Sequence, residues 1–174
     1  MQLYNKLSKK ERLDLINKAG EKRLTLSFYK YSKIKNTFIF RNFLFVHFDK
    51  LNVLGRIYIA SEGINAQLSV PGSKLIEFKN LIDSISFLNG VRLNIAIEHS
   101  NEAFLKLKIK IKEKIVADGL NLNDYDLNVH GKHVNADEFN ELLEDKNTIT
   151  IDMRNHYESE VGHFKGANLP DVDT

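Results

Sequence analysis

Residues 55–71 read GRIYIASEGINAQLSVP and decide the fold of this 174-residue chain. Residues 55–60 and 64–70 are rich in β-branched residues and predict two strands. The residues between them, Ser61-Glu62-Gly63, predict a tight turn in which Gly63 supplies the positive φ that the turn needs. The stretch therefore predicts a β-hairpin, from which the rest of the fold can be built outward.

A strand and a helix are predicted on each side of this hairpin. Before it, residues 24–31 predict a strand, and residues 36–51 predict a phenylalanine-rich helix that we expect to be heavily buried. After it, Ser73 is predicted to cap a helix that runs to about residue 86, and residues 91–98 predict another strand. This order is that of a ferredoxin-like (βαββαβ) α+β sandwich, whose helices cover one face of the sheet and leave the other available.

Residues 104–111 predict an extra strand because apolar and cationic residues alternate along them. The cationic positions on one side of the alternation are Lys106, Lys108, Lys110 and Lys112. Lysines blunt an exposed sheet edge against aggregation. A row of cations about 7 Å apart also matches the spacing of a phosphate backbone. Both interpretations of the lysine row remain open.

Charge divides the chain into two parts. Residues 1–116 carry 21 Lys and Arg against 10 Asp and Glu, whereas residues 117–174 carry 4 against 13. We interpret residues 1–116 as a basic ferredoxin-like domain with an N-terminal helix at residues 8–20. Residues 117–132 are predicted to be a polar linker, and residues 133–174 the start of a second domain. A basic domain favours a polyanionic partner, unless its charge serves solubility alone.

The second part is predicted to contain a helix at residues 136–144, capped by Asn135, and a buried strand at residues 148–153. Polar side chains follow that strand. Asp152 and Arg154 are expected to anchor a loop network at the strand's end, and the alternative is that they contact a substrate where a pocket opens there. Glu158 is expected to be a structural partner for a nearby donor, and His163 to fix a turn through a backbone hydrogen bond.

Composition argues against several classes of protein. The chain has no cysteine, so it forms no disulfide and offers no thiol nucleophile. The longest apolar stretch, residues 36–54, is interrupted by charged residues, which argues against a membrane span. No signal peptide is visible, and we expect a cytoplasmic protein. The histidines lack metal-ligand spacing, so no metal is predicted, and no cofactor is evident.

Three blocks carry a resemblance to a known family. They are Phe28-Tyr29-Lys30-Tyr31, the stretch 55–71 with its Glu62-Gly63-Ile64-Asn65, and the region from Asp152 to Ala167. In order and spacing they resemble the N-terminal part of the bacterial tRNA uridine hydroxylases, a family with a rhodanese domain. The resemblance implies an enzyme that forms 5-hydroxyuridine at the wobble position of tRNA, with molecular oxygen as co-substrate and the anticodon region as the partner surface.

In that family the essential cysteine lies on a rhodanese loop downstream of the last block. The resemblance therefore implies that residues 133–174 are the incomplete beginning of an α/β rhodanese domain. This chain alone is then expected to be inactive and to serve as a tRNA-binding scaffold. A rhodanese-type sulfurtransferase and a non-catalytic RNA- or protein-binding module remain as alternatives.

The candidate binding residues lie in the basic domain. Besides the lysine row, they are Arg56, Glu62, Asn65 and Gln67, which we expect to face RNA or the junction with the rhodanese domain. The structural alternative is that Glu62 and Asn65 satisfy backbone groups in the turn. The interleaved aromatic residues available for splayed bases are Phe28, Tyr29, Tyr31 and Tyr58.

Overall fold

The structure is a computed structural model that describes residues 3–115, residue 129 and residues 131–170. The chain divides into two compact units, Met1–Leu127 and Asn128–Thr174, and each is described by itself. Most of the linker predicted at residues 117–132 lies outside the described residues.

The first unit is an α+β sandwich. Its elements in chain order are α1 (Lys9–Ala19), β1 (Arg23–Tyr31), α2 (Thr37–Lys50), β2 (Leu54–Ala60), β3 (Gly63–Pro71), α3 (Leu75–Ser84), β4 (Asn94–Ile95) and β5 (Leu107–Ile111). The five strands form one sheet in the order β4-β1-β3-β2-β5. The first four pair antiparallel, and β5 joins β2 in parallel. The predicted ferredoxin-like fold with an extra strand is confirmed.

Helix ends follow the capping signals of the sequence. The Ser8 hydroxyl accepts from the Glu11 N–H, and the Glu11 carboxylate accepts from the Ser8 N–H, so α1 begins with a capping box. That helix ends at Gly20, whose φ of 64° is left-handed. The Asn36 side chain accepts from the Ile39 N–H at the start of α2. These local contacts fix the helix bounds before any tertiary packing is considered.

The hydrophobic core lies between one face of the sheet and the helices α2 and α3. Its members from the helices are Leu44, Phe45, Phe48, Phe78 and Ile82. Its members from the strands are Leu26, Phe28, Ile57, Ile59, Ile64, Ala66, Leu68, Val70, Leu107 and Ile109. Because successive strand residues point to opposite faces, the residues between these apolar ones lie on the face that α2 and α3 do not cover.

Helix α2 is less buried than its five phenylalanines predict. Phe45 and Phe48 are in the core, but Phe38 is 65% exposed and Phe43 is 36% exposed. The expectation of a heavily buried helix was wrong for these two positions. A helix on one side of a sheet has an outer face, and five phenylalanines within 14 residues cannot all avoid it.

Two predicted bounds were also wrong. Residues 72–74 form a single 3-10 turn, α3 begins only at Leu75, and no side chain caps it. The strand predicted at residues 91–98 shrinks to Asn94–Ile95. Beyond it, side chains replace the backbone ladder along β1, because His99 Nδ1 accepts from the Thr25 N–H and Asn101 Oδ1 from the Arg23 N–H.

The second unit contains α4 (Ala136–Glu144) and α5 (His156–Val161). The Asn135 cap predicted for α4 is confirmed, since its side chain accepts from the Glu138 N–H. The buried strand predicted at residues 148–153 was wrong. Only an isolated bridge between Ile151 and Asn168 forms, and Ile149, Ile151 and Met153 are 54–74% exposed. A strand needs a partner along its whole length and cover on its faces, and the described residues of this unit provide neither.

Within the ranges that the structure describes, every helix is too short or too polar to cross a membrane.

Candidate nucleic-acid interface

The sheet face that α2 and α3 leave uncovered carries most of the candidate residues. We call it the open sheet face. It is defined by Asn94, Ser27, Gln67, Arg56 and Lys108 in one row across the strands and by Tyr29, Asn65, Tyr58 and Lys110 in the next. Residues directly opposite each other on neighbouring strands point to the same side, so each row is a line of adjacent side chains.

The first row is polar from one edge of the sheet to the other. Register places Gln67 of β3 opposite both Ser27 of β1 and Arg56 of β2, and Arg56 opposite Lys108 of β5. The side chains of Gln67, Arg56 and Lys108 are exposed. The row therefore begins with neutral hydrogen-bonding groups on β4, β1 and β3 and ends with two adjacent cations, one on β2 and one on β5.

The second row places two tyrosines on either side of an amide. Asn65 of β3 is opposite Tyr29 of β1 and Tyr58 of β2, and Tyr58 is opposite Lys110 of β5. Tyr29 is 60% exposed. The ammonium of Lys112 sits 5.6 Å from the centre of the Tyr58 ring, a cation–π contact that holds this lysine beside the row.

Cations concentrate on this face without matching carboxylates. Arg56 and Lys108 are direct neighbours, and like charges in that position destabilise a sheet. The ion pairs formed among the described residues involve other side chains and none of Arg56, Lys106, Lys108 or Lys110. A surface with adjacent cations is suited to bind a polyanion, because the bound negative charges offset the repulsion between the cations.

A buried arginine closes one end of the open sheet face. Arg23 is 5% exposed, and its guanidinium donates to Ser69 Oγ at 3.1 Å, to the Ser69 carbonyl at 2.9 Å and to the Asn52 carbonyl at 2.6 Å. Burial lowers the pKa of Arg23 to about 10, with the charge of Arg12 acting in the same direction. This arginine is a structural group engaged with backbone and is not available to a ligand.

Glu62 lies away from the open sheet face. It is 1% exposed, and its Oε1 accepts from the Ile115 N–H at 2.7 Å. The carboxylate thus fastens the segment that follows β5 to the turn between β2 and β3. Glu62 thus satisfies a backbone group, but that group belongs to Ile115 and not to the turn, and this geometry does not place Glu62 with the other candidates.

The structure brings six of the eight predicted residues close together. Arg56, Asn65, Gln67, Lys108 and Lys110 lie in the two rows, and Lys112 joins them through Tyr58. Lys106 precedes β5 and is exposed beside it. Of the aromatic residues, Phe28 is in the core and is excluded as a base contact, whereas Tyr29 and Tyr58 are on the open sheet face.

Sequence reasoning did not select Ser27 and Asn94. The alternation of β1 could have identified Ser27, because it falls between the core residues Leu26 and Phe28. Asn94 could not be identified, since its place in the row depends on β4 pairing with β1.

The candidates of the second unit form a local network. Asp152 accepts from the side chain and backbone N–H of Arg154, and Arg154 Nη2 also donates to the Gly162 carbonyl at 2.7 Å. The hydrogen bonds from Arg154 lower the pKa of Asp152 to about 2. Glu158 Oε2 accepts from the Asn155 side chain at 3.0 Å, and His163 Nδ1 donates to the Ser159 carbonyl at 2.9 Å.

Asp152, Arg154 and His163 also line an open groove of about 930 Å³ in this unit. Its other walls are mainly apolar, including Phe139 and Leu142. All four polar candidates of the second unit thus have partners within their own loops, as framework residues do.

The fold and the open sheet face define an acylphosphatase-like, ferredoxin-like domain with a cationic sheet surface. Residues 23–115 match the family model described as the UPF0176 acylphosphatase-like domain, and the chain belongs to this family.

Curated relatives extend the match over 99% of the chain. A tRNA uridine(34) hydroxylase of Leptospira interrogans is 48% identical over 172 residues, and one of Photorhabdus laumondii is 43% identical over 173. A third, from Yersinia pestis, is 44% identical. The matched region is 46–49% of each relative, so the chain spans about half the length of the curated relatives it matches.

Proposed function

We propose that this chain is the N-terminal part of an oxygen-dependent tRNA hydroxylase that forms 5-hydroxyuridine at the wobble position, and that its open sheet face holds the tRNA near the anticodon. The names of the relatives support the reaction and the substrate. The observation that carries the binding role is the alignment of Arg56, Lys108 and Lys110 with two tyrosines on one uncovered face.

The face supplies the two kinds of contact that a folded RNA requires. Lysine and arginine side chains neutralise phosphates, and this term provides most of the affinity. Aromatic rings and amides contact bases that are not paired. The cations lie toward β5 and the aromatic and amide groups toward β1 and β3, so one bound strand can meet both at once.

The absence of cysteine separates the proposed tRNA-binding role of this chain from catalysis. The chain has no cysteine, so the thiol that the family resemblance implies for catalysis is not among these residues. We propose that residues 133–174 begin the rhodanese domain that carries it, with Asp152, Arg154, Glu158 and His163 as its framework. Molecular oxygen would be consumed there as co-substrate. We further propose that the protein works in the cytoplasm, where its tRNA substrate is found.

The reaction can be tested genetically. Deleting the gene that encodes the chain and analysing the nucleosides of total tRNA by mass spectrometry is expected to show loss of 5-hydroxyuridine. Unchanged 5-hydroxyuridine together with reduced thiolation of tRNA would instead support a sulfurtransferase.

The binding role is tested by reversing charge on the open sheet face. Lys108→Glu combined with Lys110→Glu is expected to weaken tRNA binding by roughly tenfold or more at low salt, because two phosphate contacts become repulsive. Fluorescence anisotropy with labelled tRNA measures the change.

The matched control is Lys50→Glu combined with Lys79→Glu. Lys50 lies on α2 and Lys79 on α3, both exposed on the helix side of the sheet. Replacing both with Glu changes the net charge of the protein by the same amount as the first double variant. Equal loss of affinity in both double variants would show that net charge alone attracts tRNA and would reject the open sheet face as its site.

A further inference from the structure

We infer that the row Tyr29–Asn65–Tyr58 is a stacking site for unpaired bases, so that the open sheet face recognises a single-stranded loop of RNA and not a duplex stem. The inference rests on the proposed tRNA-binding function and adds to it the class of RNA segment and the residues that distinguish it. It concerns three neutral side chains in the middle of the sheet, next to the cations.

Tyr29 is exposed at the end of its row. It lies on β1 past the short strand β4, which pairs only with Leu26 and Ser27, and its side chain is 60% exposed. Its opposite neighbour Asn65 has a smaller side chain. An uncovered aromatic ring on a polar face is a surface at which another flat group can stack.

Tyr58 is the second ring of the row, two strands away, and it is half-buried. Neighbouring strands are about 4.8 Å apart, so the backbones at Tyr29 and Tyr58 are separated by roughly 10 Å. Lys112 contacts the Tyr58 ring and directs positive charge to the same place. Two aromatic platforms on the two sides of Asn65 can therefore each hold one base of a strand that crosses the sheet.

The amides between and beside the tyrosines have free hydrogen-bonding capacity. Among the hydrogen bonds of the described residues, none is made by the side chain of Asn65 or of Gln67, although both lie within a fully paired strand. An amide presents a donor and an acceptor together. That pair is what the Watson–Crick edge of an unpaired base offers, and it is inaccessible when the base is in a duplex.

The cations next to the tyrosines can bind the phosphates of the same RNA strand. Lys110 is the next residue of the row after Tyr58, and Arg56 and Lys108 lie in the row beside it. A base stacked on Tyr58 would keep its phosphate within reach of these side chains. RNA-recognition motifs use the same principle, with aromatic residues on a four-stranded sheet stacking two or three bases.

A tryptophan reporter tests the inference directly. The chain has no tryptophan, so Tyr29→Trp introduces a unique fluorophore at the proposed site. A uridine-rich single strand is expected to quench it at low salt, and a blunt-ended RNA duplex of equal length is not. Equal quenching by both RNAs, or by neither, would overturn the stacking site.

Substitution of the rings provides the second measurement. Tyr29→Ala and Tyr58→Ala are each expected to lower the affinity for the single strand by roughly fivefold or more, since stacking contributes at this level per base. Tyr29→Phe and Tyr58→Phe should retain it, because they keep the ring. Affinity for the blunt-ended duplex should not change, and circular dichroism confirms that each variant is folded.

The outcomes separate the inference from the proposed function. If the alanine variants bind the single strand normally while Lys108→Glu with Lys110→Glu does not, the stacking site is wrong and the tRNA-binding face stands. If the unaltered chain binds neither RNA, both are wrong. Equal losses for the single strand and the blunt-ended duplex would assign the tyrosines a structural role and overturn the inference.

Discussion

Position 63 requires glycine because strands β1 and β3 approach each other closely there. It begins β3 directly after the Ser61-Glu62 turn and pairs with Tyr31 of β1. Its φ of 155° is one that L side chains rarely adopt, and a Cβ there would lie 2.2 Å from the Lys30 carbonyl oxygen. The obstacle is backbone and cannot rotate away. A single hydrogen in place of a methyl group thus allows β1 and β3 to form the centre of the open sheet face.

Gly63→Ala is expected to destabilise the first unit by about 1–3 kcal/mol, the usual cost of forcing extra volume into a packed site. Chemical denaturation followed by circular dichroism measures it. Ser61→Ala is the control, since it changes an exposed residue of the same turn. Equal stability of the two variants would show that the β1–β3 contact can relax at no cost.

At the scale of the element, β5 has two roles that its sequence alone could not separate. It is an edge strand of the sheet, a kind of strand that can pair with another chain. Its outer backbone groups are partly covered, because the Asn5 side chain bonds the N–H and the carbonyl of Leu107 and Arg41 Nε donates to the Ile109 carbonyl. It also places Lys108 and Lys110 at the ends of the two rows of the open sheet face. Edge protection needs charge of either sign, whereas phosphate binding needs positive charge, and this difference makes the two roles testable.

Replacing Lys106, Lys108 and Lys110 together with Glu should leave the oligomeric state of the protein unchanged and abolish tRNA binding. Replacing the same three with Thr should abolish binding and also promote self-association, because threonine favours strands and carries no charge. Sedimentation velocity reports the oligomeric state. A threonine variant with the oligomeric state of the unaltered protein would remove edge protection as an explanation of the lysine row.

At the scale of the whole molecule, the important property is where the positive charge lies. Residues 1–116 carry 21 Lys and Arg, and some of them, such as Lys50 and Lys79, are exposed on the helix side of the sheet. Arg56, Lys108, Lys110 and Lys112 form a cluster at the β2–β5 side of the open sheet face. A local cluster of cations attracts a polyanion, and the affinity then depends steeply on salt.

If Arg56 and the four lysines each contact one phosphate of a single strand, the plot of log affinity against log salt should have a slope of about −3.5. Lys108→Gln should make the slope shallower by about 0.7, and Lys79→Gln should leave it unchanged. Titrations by anisotropy at several salt concentrations provide the slopes. A slope near zero would mean that apolar contacts dominate and that the cations do not bind phosphates.

Local sequence signals determined much of this protein. The hairpin of residues 55–71, the capping boxes of α1 and α4 and the alternation of β5 depend on neighbours a few residues apart, so their chemistry is readable in the chain. The clustering of Arg56, Asn65, Gln67 and the lysines was also predictable in kind, because alternation places them all opposite the apolar positions.

Only the tertiary structure decided which strands are neighbours, and therefore which side chains share a row. Tyr29 and Tyr58 are 29 residues apart in sequence and flank the same asparagine only because β3 lies between β1 and β2. Tertiary contacts also place the Glu62 carboxylate against the Ile115 N–H and pair His99 and Asn101 with β1 beyond the short β4. Such contacts depend on hydrogen bonds between distant segments, and no local pattern encodes them.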